Sequence, residues 1–525
     1  MQSAIEHLVD YTGTIPTPQV FIDKETEMAA QRRPTNETKR PEQPMTVRLT
    51  EDSRPIGLMP PSFPPEYVTG SIVPFFLAGS YIGETPSLPM IDLTLTKQGA
   101  CPVQWWGMLY EGWVPNPEAE GSTVFLTGYE HRGPDNARKK IYMTATTPDL
   151  IDTKYRAKIK RFYERFLADA NAGRPMMGQY FDNYYDLYWD LHVGATGTEI
   201  PAEVRQFSAG FNTVLGFYYP TLEVVRDAYM QARNTRETLK AWLDTRVQAI
   251  KDGKQPNADS TFVYYWLKNG ELSENFRRMD IVFECFHNFL AFSQWGNTVY
   301  NVAARLEPTH GDPVVQRWFE KTMKGGPDTA DSSPFTPLDR FVMELFRTIN
   351  PNAGSLSTLK RARQLLATEF SSVATPHLAA SMDPRHWESP TEFNPDRYKT
   401  APTSADNNEA TIKKMGLARC PFSKKALPAK DGRNVEMTNS AFGAVYSEID
   451  GTPHPVVDTA GYAPFGFGYR RCAGEHITME FIKEFLRKVW SEKISFVKLD
   501  VQEPGQIPVN PRTVLNDDIA FKRSK

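Results

Sequence analysis

The stretch Phe465-Gly-Phe-Gly-Tyr-Arg-Arg-Cys-Ala-Gly474 constrains this chain more than any other. Cys472 stands directly before a segment, Glu475 to about Trp490, in which Ile477, Phe481, Phe485 and Val489 recur at helical spacing among charges. A cysteine at a helix N-terminus faces unpaired amide N–H groups and the positive end of the dipole, and both favour the thiolate. Arg470 and Arg471 add positive charge beside it, and Phe465 offers the sulfur an apolar cover. Gly466, Gly468 and Gly474 let backbone approach a flat ligand where a Cβ would collide. A glycine-rich turn around a buried structural cysteine is the plainer reading of the same residues. A phosphate loop is excluded, because no Gly-Lys-Ser/Thr follows.

A thiolate in apolar, glycine-lined surroundings suits the axial position on haem iron. The stretch resembles the haem-binding loop of the cytochromes P450, Phe-x-x-Gly-x-Arg-x-Cys-x-Gly. It matches at Phe465, Gly468, Arg470, Cys472 and Gly474. The resemblance implies a mainly α fold with small β sheets, forming one large haem-enclosing domain. It also implies haem b (iron protoporphyrin IX) as cofactor and Cys472 as the axial ligand.

Length and composition set wide bounds. The chain has 525 residues, 40% of them hydrophobic and 12% aromatic, enough for a large buried core. A formal net charge of −3 gives no reason to expect nucleic acid or an anionic membrane as partner. No apolar run reaches membrane-spanning length and no charged-then-apolar leader is visible, so neither a transmembrane anchor nor a signal peptide is expected. Cys101, Cys285, Cys420 and Cys472 form no Cys-x-x-Cys pair. That usage fits a reducing, cytoplasmic setting.

Residues 1–65 are polar and proline-rich and read as an irregular extension; residues 66–525 read as the haem domain. Near the start of the latter, Ile72-Val-Pro-Phe-Phe-Leu77, Trp105-Trp106 and Met108-Leu-Tyr110 make an apolar, aromatic stretch. It reads as core by default, or as a channel wall or a patch in peripheral contact with a membrane. Gly128-Tyr-Glu-His131 followed by Arg138 resembles the family's third major helix, which brings His and Arg to the haem propionates. Gly133-Pro134 interrupts that pattern, so Arg138 is the better anion partner of the two. Residues 150–253 are helical in pattern, and Thr221 to Lys251 reads as one long amphipathic helix.

Ser273 caps a helix running past Tyr300. The resemblance implies that this helix crosses the oxygen-binding face, where the family carries Ala/Gly-Gly-x-Asp/Glu-Thr. Counting from Ser273-Glu-Asn-Phe276, the window falls at Phe286-His-Asn-Phe-Leu290. Phe289 then stands at the position of the acid and Leu290 at that of the threonine. Asn288 is the polar group best placed to face the iron, as in the hydroperoxide-rearranging branch that includes the allene oxide synthases. That branch has a lengthened haem loop, which this chain lacks. The alternative is that Asn288 is a satisfied core amide and Gln294 or water carries protons.

Glu344 and Arg347 lie three apart on one helix face. They precede Asp383-Pro384, Trp387 and Phe393-Asn-Pro-Asp-Arg397-Tyr398, which together resemble the family's Glu-x-x-Arg helix and the segment after it. The resemblance implies a buried Glu344–Arg347–Arg397 triad, with Arg361 and Arg363 as weaker propionate candidates. Residues 399–464 are a polar, turn-rich insertion that reads as a surface excursion. Ile494–Leu499, Ile507–Asn510 and Thr513–Leu515 read as strands.

The function implied is a haem-thiolate oxidoreductase of the monooxygenase class, acting on a medium or large apolar, lipid-like small molecule. Electrons would come from a separate ferredoxin or flavoprotein reductase. Without the acid and threonine, peroxide or an organic hydroperoxide is the expected oxygen donor. A fatty-acid hydroperoxide isomerase or dehydratase, which needs no reductase, and a non-catalytic haem sensor are the alternatives.

Overall fold

The computed structural model describes residues 87–88, 141–168, 170, 173–205, 222–270, 278–349, 355–359, 372–375, 381, 387–401, 425–428, 434–439, 445–449, 452–453, 462, 464–465, 472–500, 505–510 and 513–523. Residues 1–65, the 71–113 stretch apart from Ser87–Leu88, and the Ser273 cap lie outside that set.

Helix signals in the sequence become helices with identifiable ends. After the turns Pro148–Leu150 and Ile151–Tyr155 comes α1 (Arg156–Phe166). Helix α2 (Met176–Val193) buries Tyr180, Tyr184, Tyr188 and Trp189 and stops at Gly194, whose φ of 67° is left-handed. Helix α3 spans Leu222–Lys251. The Thr261 hydroxyl accepts from Tyr264 N at 3.3 Å to cap α4 (Phe262–Asn269). Helix α5 (Arg278–Leu306) is followed by α6 (Pro313–Lys324), capped by Asp312 with Pro313 in the first helical position. Helix α7 (Pro337–Ile349) opens with a reciprocal cap: Asp339 N donates to Thr336 Oγ1 at 3.1 Å, and Thr336 N donates to Asp339 Oδ2 at 2.9 Å. Helix α8 (Glu475–Ser491) begins three residues after Cys472.

The sheets are small and antiparallel. Strand β1 (Ser87–Leu88) pairs with β2 (Ser355–Leu359), which pairs with β3 (Ser372–Thr375). A meander of β4 (Lys425–Pro428), β5 (Asn434–Asn439), β6 (Val445–Ile449) and β7 (Thr452–Pro453) occupies part of the 399–464 insertion. The described part of the insertion thus forms strands, which its polar, turn-rich composition does not suggest. Strand β8 (Ile494–Lys498) pairs with β11 (Ile519–Arg523), setting Phe496 against Phe521, and β9 (Gly505–Asn510) forms a hairpin with β10 (Thr513–Asp517).

Helix α5 is the axle of the core, touching α2, α3, α6, α8 and β9. Toward α8, Trp295 stacks on Phe481 with ring centroids 4.2 Å apart, and the Trp295 indole N–H donates to Thr478 Oγ1 at 3.0 Å. Toward α2 the helices approach closely at Gly296, where a Cβ would lie 2.9 Å from Tyr180 Cε1. Helix α1 closes the far side of α8, with Tyr163 and Phe481 rings 4.9 Å apart. Among the described residues no helix is long and apolar enough to cross a membrane.

Candidate functional site

The thiol is built by a short return of the backbone. Cys472 N donates to Phe465 O at 2.8 Å, so the two ends of the glycine-rich loop are tied together just before α8. Gly474 N donates to Cys472 Sγ at 3.3 Å. The thiol is exposed, whereas Cys285 on α5 is buried and burial pushes its thiol well above the ordinary value. Phe465 is buried, with its ring 5.1 Å from Phe346 of α7, and Ala473 O accepts from Thr146 Oγ1 at 3.1 Å. These contacts fix the helix start against α7 and the turn before α1. Gly468 and Arg470 of the same loop, and Arg138 and His131, lie outside the described residues, as do Arg361 and Arg363.

In the middle of α5, Phe289 and Asn288 both meet α2, at different points along it. Phe289 is fully buried in the aromatic face of α2, 4.7 Å from Tyr188, 5.8 Å from Tyr184 and stacked on Tyr185 at 5.8 Å. Its ring is thus a core element between helices, on a different side of α5 from Trp295. Asn288, one residue earlier and about 100° around the helix, is half-buried. Its Nδ2 lies 3.3 Å from His192 Nε2 at the end of α2. Leu290 belongs to the same helix, and its side chain lies outside the described atoms. Among the described residues the buried Gln294 Oε1 has no hydrogen-bond partner. No local sequence signal points to His192, which is 96 residues from Asn288.

The structure brings Glu344, Arg347 and Arg397 together. Arg347 Nε and Nη2 donate to the two Glu344 carboxylate oxygens at 2.8 Å each, and Arg397 Nε reaches Glu344 Oε1 at 3.1 Å. Tyr398 OH adds a donor at 3.1 Å and Asn394 N another at 2.8 Å. Arg347 also donates to the carbonyls of Ser381, Pro390 and Glu392, so the cluster ties α7 to the segment 381–398. Trp387 lies over the Arg347 guanidinium at 5.3 Å.

A cavity of about 840 Å³ opens beside α8, lined by Arg156, Lys160, Asp339, His476, Met479 and Lys483 among others. Its walls are laced by ion pairs, including Arg156–Glu484 at 2.5 Å, Lys483–Asp339 at 2.7 Å and Arg487–Asp328 at 2.6 Å. Fixed charges of both signs do not suit an apolar substrate. They serve instead to lock α8 to α1 and α7.

No protein-family model matches the chain and no curated protein matches it in sequence. Solved structures do match in fold. One is the retinoic acid-bound cyanobacterial cytochrome CYP120A1, at 15% identity and a TM-score of 0.52, covering 80% of this chain and 84% of that one. A mutant of cytochrome P450SP alpha matches at 12% identity and a TM-score of 0.54, covering 86% and 89%. The same protein in complex with (R)-ibuprofen matches at 11% identity and a TM-score of 0.52, covering 85% and 87%. The fold of this chain, mostly helical with small sheets, is the cytochrome P450 fold.

Proposed function

We propose that the chain is a haem-thiolate oxidoreductase of the cytochrome P450 type, with Cys472 as axial ligand. The observation that carries this reading is the exposed Cys472 thiol at the N-terminus of α8 in a chain of that fold. The donor set fits the group. A bare metal ion needs three or four protein ligands, whereas porphyrin-held iron needs one. Among the described residues no group of three His, Cys, Asp or Glu is assembled. Gly474 is compatible with that reading: a Cβ there would meet Cys472 Sγ at an ordinary 3.7 Å, so internal crowding is not what calls for glycine.

Bound there, haem supplies iron-centred oxidation chemistry tuned by the thiolate. The Gly474 N–H draws charge from the sulfur, which sets how strongly it donates. Phe465 keeps water from one side of the loop, and Arg138, His131 and Arg470 are the proposed partners of the propionates. The substrate is a medium or large apolar, lipid-like molecule. Retinoic acid and (R)-ibuprofen, carried by two structures of like fold, support that class.

Peroxide or an organic hydroperoxide is the proposed oxygen donor. Neither Phe289 nor Leu290 can hold or release a proton, and general-acid help is worth ~10²–10⁴-fold where it operates. Asn288, half-buried and polar, orients the donor by hydrogen bonding. The same residue favours a second reading, a fatty-acid hydroperoxide isomerase or dehydratase working without a reductase. Incubation with hydrogen peroxide, with a lipid hydroperoxide, and with NADPH plus a surrogate reductase pair separates the readings. Hydroxylated product from the peroxide arm supports the first; a rearranged or dehydrated hydroperoxide with no oxidised co-substrate selects the second. Tightly coupled turnover in the reductase arm alone overturns both donor assignments.

A further inference from the structure

His192 is fully buried near the end of α2. Its ring stacks on Tyr188 at 4.1 Å and meets Phe262 and Phe292 edge-on at 4.8 and 5.4 Å. Among the described residues two polar contacts reach it: Nδ1 lies 2.9 Å from Tyr188 O, and Nε2 lies 3.3 Å from Asn288 Nδ2. A carbonyl oxygen only accepts, so Nδ1 carries the proton. Burial lowers the imidazole from 6.5 to about 3, so the ring is neutral and Nε2 keeps its lone pair. Nε2 therefore accepts, and its partner must donate. That settles the Asn288 amide, because the flipped rotamer would set Oδ1 against the Nε2 lone pair.

We propose that His192 is the positioning residue for Asn288, holding the amide nitrogen toward α2 so that the site is offered the carbonyl oxygen, an acceptor. The ligand class this favours is an O–H donor, an alcohol or a hydroperoxide, over an ionised carboxylate. The inference rests on the reading above that Asn288 faces the haem side of α5. It requires no motion and no protonation change, only a fixed tautomer in a fixed aromatic box.

Two measurements on the full chain test it. In ¹⁵N-histidine-labelled protein, the His192 Nε2 resonance should be of the unprotonated type, stay constant between about pH 5 and 8, and shift in Asn288→Ala. A resonance unmoved by Asn288→Ala overturns the proposal, and this arm needs no His192 variant to fold. The second arm is optical titration of the haem-loaded protein with a long-chain alcohol and with the matching fatty acid. His192→Phe, which keeps the aromatic volume, should weaken alcohol binding roughly 3- to 10-fold, about one hydrogen bond, and leave the acid nearly unchanged. In the Asn288→Ala background His192→Phe should add nothing. Additive losses, or equal losses for both ligands, overturn it in favour of a packing role. If Asn288→Ala moves the His192 resonance but leaves both titrations unchanged, the pair stands. The placement of Asn288 at the site then falls, and the positioning role falls with it.

Discussion

Arg347→Ala is the most demanding perturbation of the core beneath the proposed haem loop. Arg347 and Glu344 are both 0% exposed, and the guanidinium makes a two-pronged pair at 2.8 Å. Removing one partner of a buried pair costs ~3–5 kcal/mol, because the other charge stays desolvated. Two features adjust that figure in opposite directions. Glu344 keeps Arg397 at 3.1 Å, Asn394 N at 2.8 Å and Tyr398 OH at 3.1 Å, so it is not stranded. Against this, the carbonyls of Ser381 and Pro390 lose the Arg347 donor, at about 1 kcal/mol each where water cannot replace it, while Glu392 O keeps Arg397 Nη2 at 3.0 Å. The two roughly cancel, leaving ~3–5 kcal/mol, a large part of the ~5–15 kcal/mol that holds an ordinary domain together. Urea unfolding followed by tryptophan fluorescence reads it. Arg347→Lys should fall between alanine and wild type, since it keeps the charge and loses the fork. An alanine variant within about 1 kcal/mol of wild type would refute the reasoning, since a surface ion pair contributes no more than that.

Other outcomes follow from single contacts. Gly296→Ala gains ~1 kcal/mol of helix propensity but sets a Cβ 2.9 Å from the ring of fully buried Tyr180 and 3.1 Å from Met177 Cε. Overpacking at ~1–3 kcal/mol wins, so the melting temperature should fall by a few degrees; a rise contradicts the α2–α5 packing. His192, lowered by burial from 6.5 to about 3, refuses a proton that the unfolded chain accepts. The stability it permits is complete above pH 6.5 and eroded as pH falls from there toward 3, so His192→Phe should lose less stability over that window than wild type does. Parallel acid limbs would count against a buried neutral imidazole. Leu290→Thr, which restores an alcohol, should raise the reductase-driven rate severalfold relative to the hydroperoxide-driven one; an unchanged ratio argues against a proton-delivery deficit on this helix.

Contacts set by short spacing were readable from the chain, and contacts set by helix rotation were not. Glu344 and Arg347 sit three apart, and any helix puts them on one face. The apolar stripe Ile477, Phe481, Phe485 and Val489 likewise defines the buried face of α8 wherever that helix packs. The span Leu222–Lys251 was legible because its period is uninterrupted by glycine or proline. Helix α5 is different, because its apolar and aromatic residues are spread among polar ones such as Glu284, Asn288, Gln294 and Asn297 with no single apolar stripe. Counting from Ser273 gives positions along it without their direction. One residue turns a side chain by about 100°, enough to send Phe289 into the tyrosines of α2 while Asn288 meets His192. The β4–β7 meander was hidden for another reason. Its strands are short, and the alternation they carry, such as Val435 and Met437 against Glu436 and Thr438, spans too few residues to stand out from a polar, turn-rich segment.

The central claim is that Cys472 ligates haem iron as a thiolate, and the carbon monoxide difference spectrum of the reduced protein tests it most directly. Wild type should bind haem and show the red-shifted Soret band that only a thiolate ligand produces, while Cys472→Ser, whose neutral hydroxyl is a poor ligand, should lack it. A wild-type protein that takes up no haem, or a serine variant with the same red-shifted band, would contradict the account.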